Sequence, residues 1–209
     1  MSKRWMMVGA LALLCAAPTA ALAGAESRVT LRLGSESPTG PFREVASSGA
    51  MAGLSAGFRA IPWLESGVDL GYFNSASVRN GETYGIIEPT TGNPVSVTLT
   101  EHWTITQFGL YSRAFIFERG RLGPFLRAGA ATYTVRISQD VQTSSATTTV
   151  GGNEQVSKFG LSGGVGVRYV VAGGTSIGVE AVYHHIFARD TDVSFTAIGA
   201  TLGFGSISK

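Results

Sequence analysis

The sequence predicts an all-β chain: an eight-stranded antiparallel up-and-down transmembrane β-barrel, preceded by a cleaved signal peptide. Three observations predict it. The first two dozen residues have the layout of an export signal, the remainder reads as runs of period-two alternation, and short and long connections alternate between those runs.

The export signal comes first. Lys3 and Arg4 form a short positive region, Met6 through Ala17 is apolar, and Ala21-Leu22-Ala23 gives a small-x-small cleavage site before Gly24. The apolar run is about a dozen residues, short of the roughly 18 that a membrane-crossing helix needs. Cys15 follows the bulky Leu14, where a lipidation site wants a small residue. The chain therefore divides into a signal peptide, residues 1–23, and a single barrel domain, residues 24–209.

Cleavage changes the composition in informative ways. The only cysteine leaves with the signal, so the mature chain has no disulfide, thiol nucleophile or thiolate metal site. Loss of Lys3 and Arg4 takes the sixteen basic residues to fourteen, equal to the fourteen acidic ones, so no basic surplus points to nucleic acid. No later stretch approaches the length of a helical span. A membrane form must then be a closed barrel, because an open sheet would leave edge groups unpaired in lipid.

Eight runs alternate: Arg28–Ser35, Ser48–Ile61, Leu64–Ala76, Ser96–Phe117, Gly123–Ser138, Val156–Val171, Thr175–Ala188 and Val193–Gly205. Short connections hold Pro62-Trp63, Glu118-Arg119-Gly120-Arg121 and Gly173-Gly174. Long ones, read as loops, hold Glu36–Ser47, Val78–Val95 and Gln139–Gln155; the last, around Arg189–Asp192, is short again.

Each run has two unlike faces. In the sixth, Phe159, Leu161, Val165, Val167 and Tyr169 oppose Gly160, Ser162, Gly164, Gly166 and Arg168. In the seventh, Ile177, Val179, Ala181 and Tyr183 oppose Gly178, Glu180 and His184. The second sets Ala52, Leu54, Ala56 and Phe58 against Gly53, Ser55, Gly57 and Arg59, and the eighth sets Ile198, Ala200, Leu202 and Phe204 against Gly199, Thr201 and Gly203. Alternation alone does not say which face points outward. A soluble barrel would solvate the second face and enrich it in charge, yet the mature chain has only Lys158 and Lys209 as lysines. Glycine fits the crowded inner wall of a narrow barrel better.

The sequence resembles the small eight-stranded outer-membrane barrels related to OmpA and OmpX. The resemblance is carried by Gly123-Pro124-Phe125-Leu126-Arg127-Ala128-Gly129, by Phe159-Gly160 through Gly164-Val165-Gly166-Val167-Arg168-Tyr169, by Ile177 to Tyr183-His184-His185, and by the closing alternation to Phe204. It implies Sec export to the outer membrane of a Gram-negative bacterium, contact with membrane lipid and lipopolysaccharide, use of the barrel-insertion machinery, and a monomer. Such barrels usually end on an aromatic residue, whereas here Phe204 is followed by Gly205–Lys209.

Candidate chemistry is sparse. Gly164-x-Gly166 lacks the third glycine and following helix of a dinucleotide loop. His184 and His185 point to opposite faces of a strand and cannot readily share a metal ion. Some barrels resembling this one are lipid A deacylases with a His-x-Ser pair near the outer end of a late strand. Here His185-Ile186 leads to Phe187, and Ser194 lies beyond the turn. The chain therefore reads as non-catalytic, without cofactor or metal.

The inward charges by alternation are Arg32, Asp69, Arg113, Arg127, Arg168 and Glu180. They suit either a pore's selectivity ring or a salt-bridged plug, and the width of an eight-stranded barrel favours the plug. A three-residue turn at Gly173–Thr175 would pair Ala172 with Ser176 and set Arg168 across from Glu180. The expected function is a barrel that anchors surface loops, serving envelope integrity or adhesion, with ligands met through loops 36–47, 78–95 and 139–155. A narrow channel for small or hydrophobic solutes is the alternative.

Overall fold

The structure, a computed structural model, describes residues 26–77, 82–87, 94–117, 121–143, 147–188 and 192–205. The signal peptide, the turn residues 118–120 and 189–191 and the tips of the two longest connections lie outside the described residues. Among the described residues nine strands form: β1 (Glu26–Thr39), β2 (Gly49–Ile61), β3 (Leu64–Ala76), β4 (Glu82–Ile87), β5 (Pro94–Phe115), β6 (Leu122–Thr143), β7 (Thr147–Ala172), β8 (Thr175–Ile186) and β9 (Val193–Gly205). Each pairs antiparallel with its neighbours. The β1–β9 and β3–β5 ladders close eight of them into a barrel, while β4 pairs with β5 alone. Closure removes the unpaired edge that lipid would not tolerate.

The apolar faces point outward. Phe58, Val165, Tyr169, Ile177, Val179, Ile198 and Phe204 are all exposed. Trp63, Phe117, Tyr169 and Phe204 mark this surface near the end that holds the short turns, and Tyr72, Phe159, Tyr183 and Phe187 mark it toward the other. Aromatics at both margins of an apolar belt are the dress of a membrane-spanning barrel. The inner wall is small so that long side chains can cross the lumen. A Cβ on Gly53 would stand 2.9 Å from the Arg32 guanidinium, and one on Gly57 would collide with the Tyr111 hydroxyl.

Three sequence expectations change. First, two of the supposed loops contain strands. Glu82–Ile87 pairs with Pro94–Leu99, and β6 and β7 run to Thr143 and from Thr147. The apolar alternation used to find strands fails there, while backbone pairing and β-branched residues such as Thr147, Thr148, Thr149 and Val150 remain sufficient. A tilted strand crosses the hydrocarbon in about 9–11 residues; β5 and β6 have 22 residues and β7 has 26. Ladder β3–β5 stops at Ala76–His102 and β7–β8 at Gly160–Ile186, so β4 to β7 rise as a sheet beyond the rest of the rim.

Second, β1 extends through Thr39 and leads into a 3-10 turn, Gly40–Glu44, whose Phe42 is buried. Phe42 joins Met51, Phe73, Ile105, Tyr133, Ile186 and Phe195 in an apolar core inside the loop end of the barrel.

Third, the β7–β8 turn holds two residues. Gly173 and Gly174 both have positive φ, at 55° and 82°, the backbone that such a hairpin turn requires. Ala172 pairs with Thr175, and a bulge between Val170 and Ala172 shifts the register, so Val170 faces Ser176, Arg168 faces Gly178 and Glu180 faces Gly166. The expected Arg168–Glu180 cross-strand pair is thus absent.

The two turn glycines differ in what a side chain would meet. Nothing surrounds a Cβ on Gly173, whereas one on Gly174 would strike the Gly205 carbonyl. Both substitutions to alanine strain the backbone by about 1 kcal/mol or more. Gly174→Ala is expected to destabilise the folded barrel clearly beyond Gly173→Ala in urea unfolding from detergent micelles.

Candidate functional site: a charged strut across the lumen

The polar residues of the inner wall meet at mid-barrel. Glu180, from β8, accepts from three arginines on three other strands: Arg32 Nη1 at 3.0 Å, Arg113 Nη2 at 3.0 Å and Arg127 Nη1 at 3.3 Å. Asp69, from β3, pairs with Arg32, with Arg127 Nη2 at 2.5 Å and with Gln107 Nε2 at 3.1 Å. Arg113 and Arg127 face each other directly across the β5–β6 ladder. Two like charges so placed repel, and the shared carboxylates of Glu180, Asp69 and Glu65 offset that repulsion.

A second layer lies nearer the turn end. Glu65 accepts from Arg113 Nη1 at 3.0 Å and from the Tyr111 hydroxyl at 3.0 Å, and forms an ion pair with Arg168, whose Nη1 lies 3.6 Å from Oε2. Arg59 and Arg168 each lie 4.2 Å from the centre of the Phe115 ring. Arg28 Nη1 donates to Ser176 Oγ at 2.6 Å. Toward the loop end the polarity gives way to rings: Phe73, Phe195, Tyr133 and His184 stack edge-on or face-on, with the Tyr133 hydroxyl 2.8 Å from His184 Nδ1.

The structure brings Arg32, Asp69, Arg113, Arg127 and Glu180 into one network and ties Arg168 to its edge through Glu65, which also pairs with Arg113. Sequence reasoning missed Glu65, Arg28, Glu36, Tyr111 and Gln107, all buried, and left Arg59 out of the charge set. A signal was available for four of them. Glu65 has the parity of Asp69 on one strand, Arg28 that of Arg32 on another, and Gln107 and Tyr111 that of Arg113 on a third. Among the described residues, six buried arginines face four buried carboxylates, counting Glu36, which accepts from Ser75 away from the network.

Outside the lumen, the structure corrects one exclusion. Ser194, expected to lie out of reach beyond the turn, is the direct ladder partner of His185. Their side chains, both on the outward face, meet at 2.8 Å between Nδ1 and Oγ.

The profile of the outer membrane protein beta-barrel domain family matches residues 7–205. The chain belongs to that family, and the outer membrane is its location. Among solved structures it is similar to Neisserial surface protein A (NspA), at 17% identity over 87% of this chain and 97% of that one, with a TM-score of 0.53. It is also similar to a major outer membrane protein from Thermus thermophilus, at 12% identity over 87% of this chain and all of that one, with a TM-score of 0.51. Likeness at this level concerns the fold. No protein of curated function matches the sequence.

Removing one partner of a buried ion pair strands the others, at a cost of about 3–5 kcal/mol. Glu180→Ala, which takes one of two carboxylate partners from each of three buried arginines, should lower the unfolding midpoint in denaturant far more than Val179→Ala on the lipid face. Asp69→Ala should approach the Glu180 effect, because Arg32 and Arg127 each keep only Glu180.

Proposed function

We propose that the protein is a sealed, monomeric barrel of a Gram-negative outer membrane, exported through the Sec pathway, that anchors a surface sheet and loops for envelope integrity or adhesion. The lumen, on this reading, is a strut. The observation that carries it is Glu180 holding Arg32, Arg113 and Arg127 from opposite walls of the barrel. With the Phe42-capped apolar core stacked above that network, side chains occupy the lumen at two levels.

The even number of barrel strands puts Glu26 and Gly205 at the same end as the short turns. We place that end in the periplasm and the tall β4–β7 sheet outside, where connections 36–47, 78–95 and 139–155 would meet extracellular ligands. Lipopolysaccharide would surround the lower part of that sheet.

Two measurements test this. Reconstituted in planar bilayers, the protein should show no steady ion conductance; a stable open channel whose selectivity changes in Glu180→Ala would instead establish the transport reading. An epitope inserted in Gln142–Gly152 should be detected on intact cells. Detection only after permeabilisation would reverse the orientation.

A further inference from the structure

We propose that Ser194, His185 and Asp192 form a serine-esterase centre on the outer wall of the barrel, directed at fatty-acyl carboxylic esters of membrane lipid. This goes beyond the strut, which lies on the other face of the same strands.

The three groups form a line. Ser194 Oγ lies 2.8 Å from His185 Nδ1, and His185 Nε2 lies 3.5 Å from Asp192 Oδ2. With its hydrogen on Nε2 toward the carboxylate, the imidazole would offer the Nδ1 lone pair to the serine hydroxyl. That is the division of labour a serine nucleophile requires, with a base in contact and a carboxylate orienting the base. The connection separating His185 from Ser194 in sequence is what makes this possible, because the hairpin folds back and pairs the two residues.

Two further features fit an acyl ester. Thr39 is the ladder partner of Ser194 on the other side, so its side chain stands on the same outward face. Thr39 Oγ1 is a buried polar atom with no hydrogen-bond partner, and its hydroxyl is a donor available to an oxyanion forming at a carbonyl on Ser194. Apolar side chains adjoin the histidine. Leu161 is its ladder partner, the Phe187 ring lies 4.7 Å away edge-on, and Phe159 stacks on Phe187 at 6.1 Å. Leu161, Phe159 and Phe187 are all exposed on the lipid-facing wall, where an acyl chain would lie. Ser194 itself is only 6% exposed, whereas the His185 side chain is 30% exposed, so the ester enters along the imidazole edge.

The step balances with water alone. Ser194 Oγ bonds to the acyl carbon as its proton passes to His185, and the ester C–O bond breaks as that proton goes to the departing alkoxide. Water then attacks the acyl-serine and gives a proton to His185. Fatty acid leaves, and the proton returns to Ser194. Thr39 and Ser194 touch the reacting atoms, and Asp192 is a positioning residue.

The test uses the refolded mature protein in two kinds of vesicle: dipalmitoyl phosphatidylethanolamine with phosphatidylglycerol, and the same lipids carrying lipopolysaccharide whose acyl chains differ in length. Mass spectrometry of freed fatty acids distinguishes a glycerolipid ester from an acylated-sugar ester. We expect release from at least one, a fluorophosphonate adduct mapped to Ser194, and a loss of about 10³-fold or more in Ser194→Ala. Thr39→Val should lower kcat by about 10²-fold with KM little changed. Asp192→Asn should lower kcat about tenfold or more, with rescue by Asp192→Glu. Heat-modifiable migration on gels checks that each variant folds. Absence of release from both vesicles overturns the proposal, as does release that persists in folded Ser194→Ala. If Ser194→Ala does not fold, release by wild type that survives complete fluorophosphonate labelling overturns it equally. The esterase does not depend on the orientation proposed above.

Discussion

A charge inside a barrel this narrow has few waters to solvate it, and the requirement that it find a partner organises the interior. Glu180 and Asp69 sit on non-adjacent strands, yet Arg32 and Arg127 each reach both. The wall must then be glycine and serine at the neighbouring positions, because a guanidinium crossing the lumen occupies the space that other side chains would fill. Gly53 beneath Arg32 is the plainest case. Inner glycines and inner arginines are two halves of one packing solution.

That solution also divides the molecule into functions by face. The inner wall carries charge and holds shape. The outer wall is largely apolar, and toward the loop-end rim it carries the polar pair of His185 and Ser194. Period-two geometry lets neighbouring residues serve both walls: His184 packs against Phe195 and Tyr133 inside, while His185 hydrogen-bonds outside. One strand thus supplies a core residue and a candidate catalytic base in succession. Chemistry on the outer wall would leave the strut undisturbed, so the proposed rim activity is compatible with the proposed sealed lumen.

The sheet above the rim obeys different rules from the barrel below. Beyond the ends of β3 and β8, β6 stays paired with β5 and β7, β4 covers the edge of β5, and β7 keeps β6 as its ladder partner. Stability there rests on backbone pairing in the long hairpins. Nothing demands an apolar stripe, which leaves the composition of this region open to whatever it contacts.

The sequence by itself determined the parts that follow from local periodicity. Alternation of Ile177 to Tyr183 located its strand to within a few residues, β3 matched in full, and that of Phe159 to Tyr169 found the barrel part of β7 but not its extension back to Thr147. The scarcity of lysine indicated which face meets lipid. Parity was enough to bring Asp69, Arg113, Arg127 and Glu180 to one wall. Tertiary structure decided everything that depends on register between strands. The two-residue turn and the bulge at Val170–Ala172 together moved Arg168 from across Glu180 to across Gly178, where it pairs with Glu65, and the β8–β9 ladder carried Ser194 back to His185. Parity assigns a residue to a face; only the closed ladder fixes its height on that face, and partners are chosen by height.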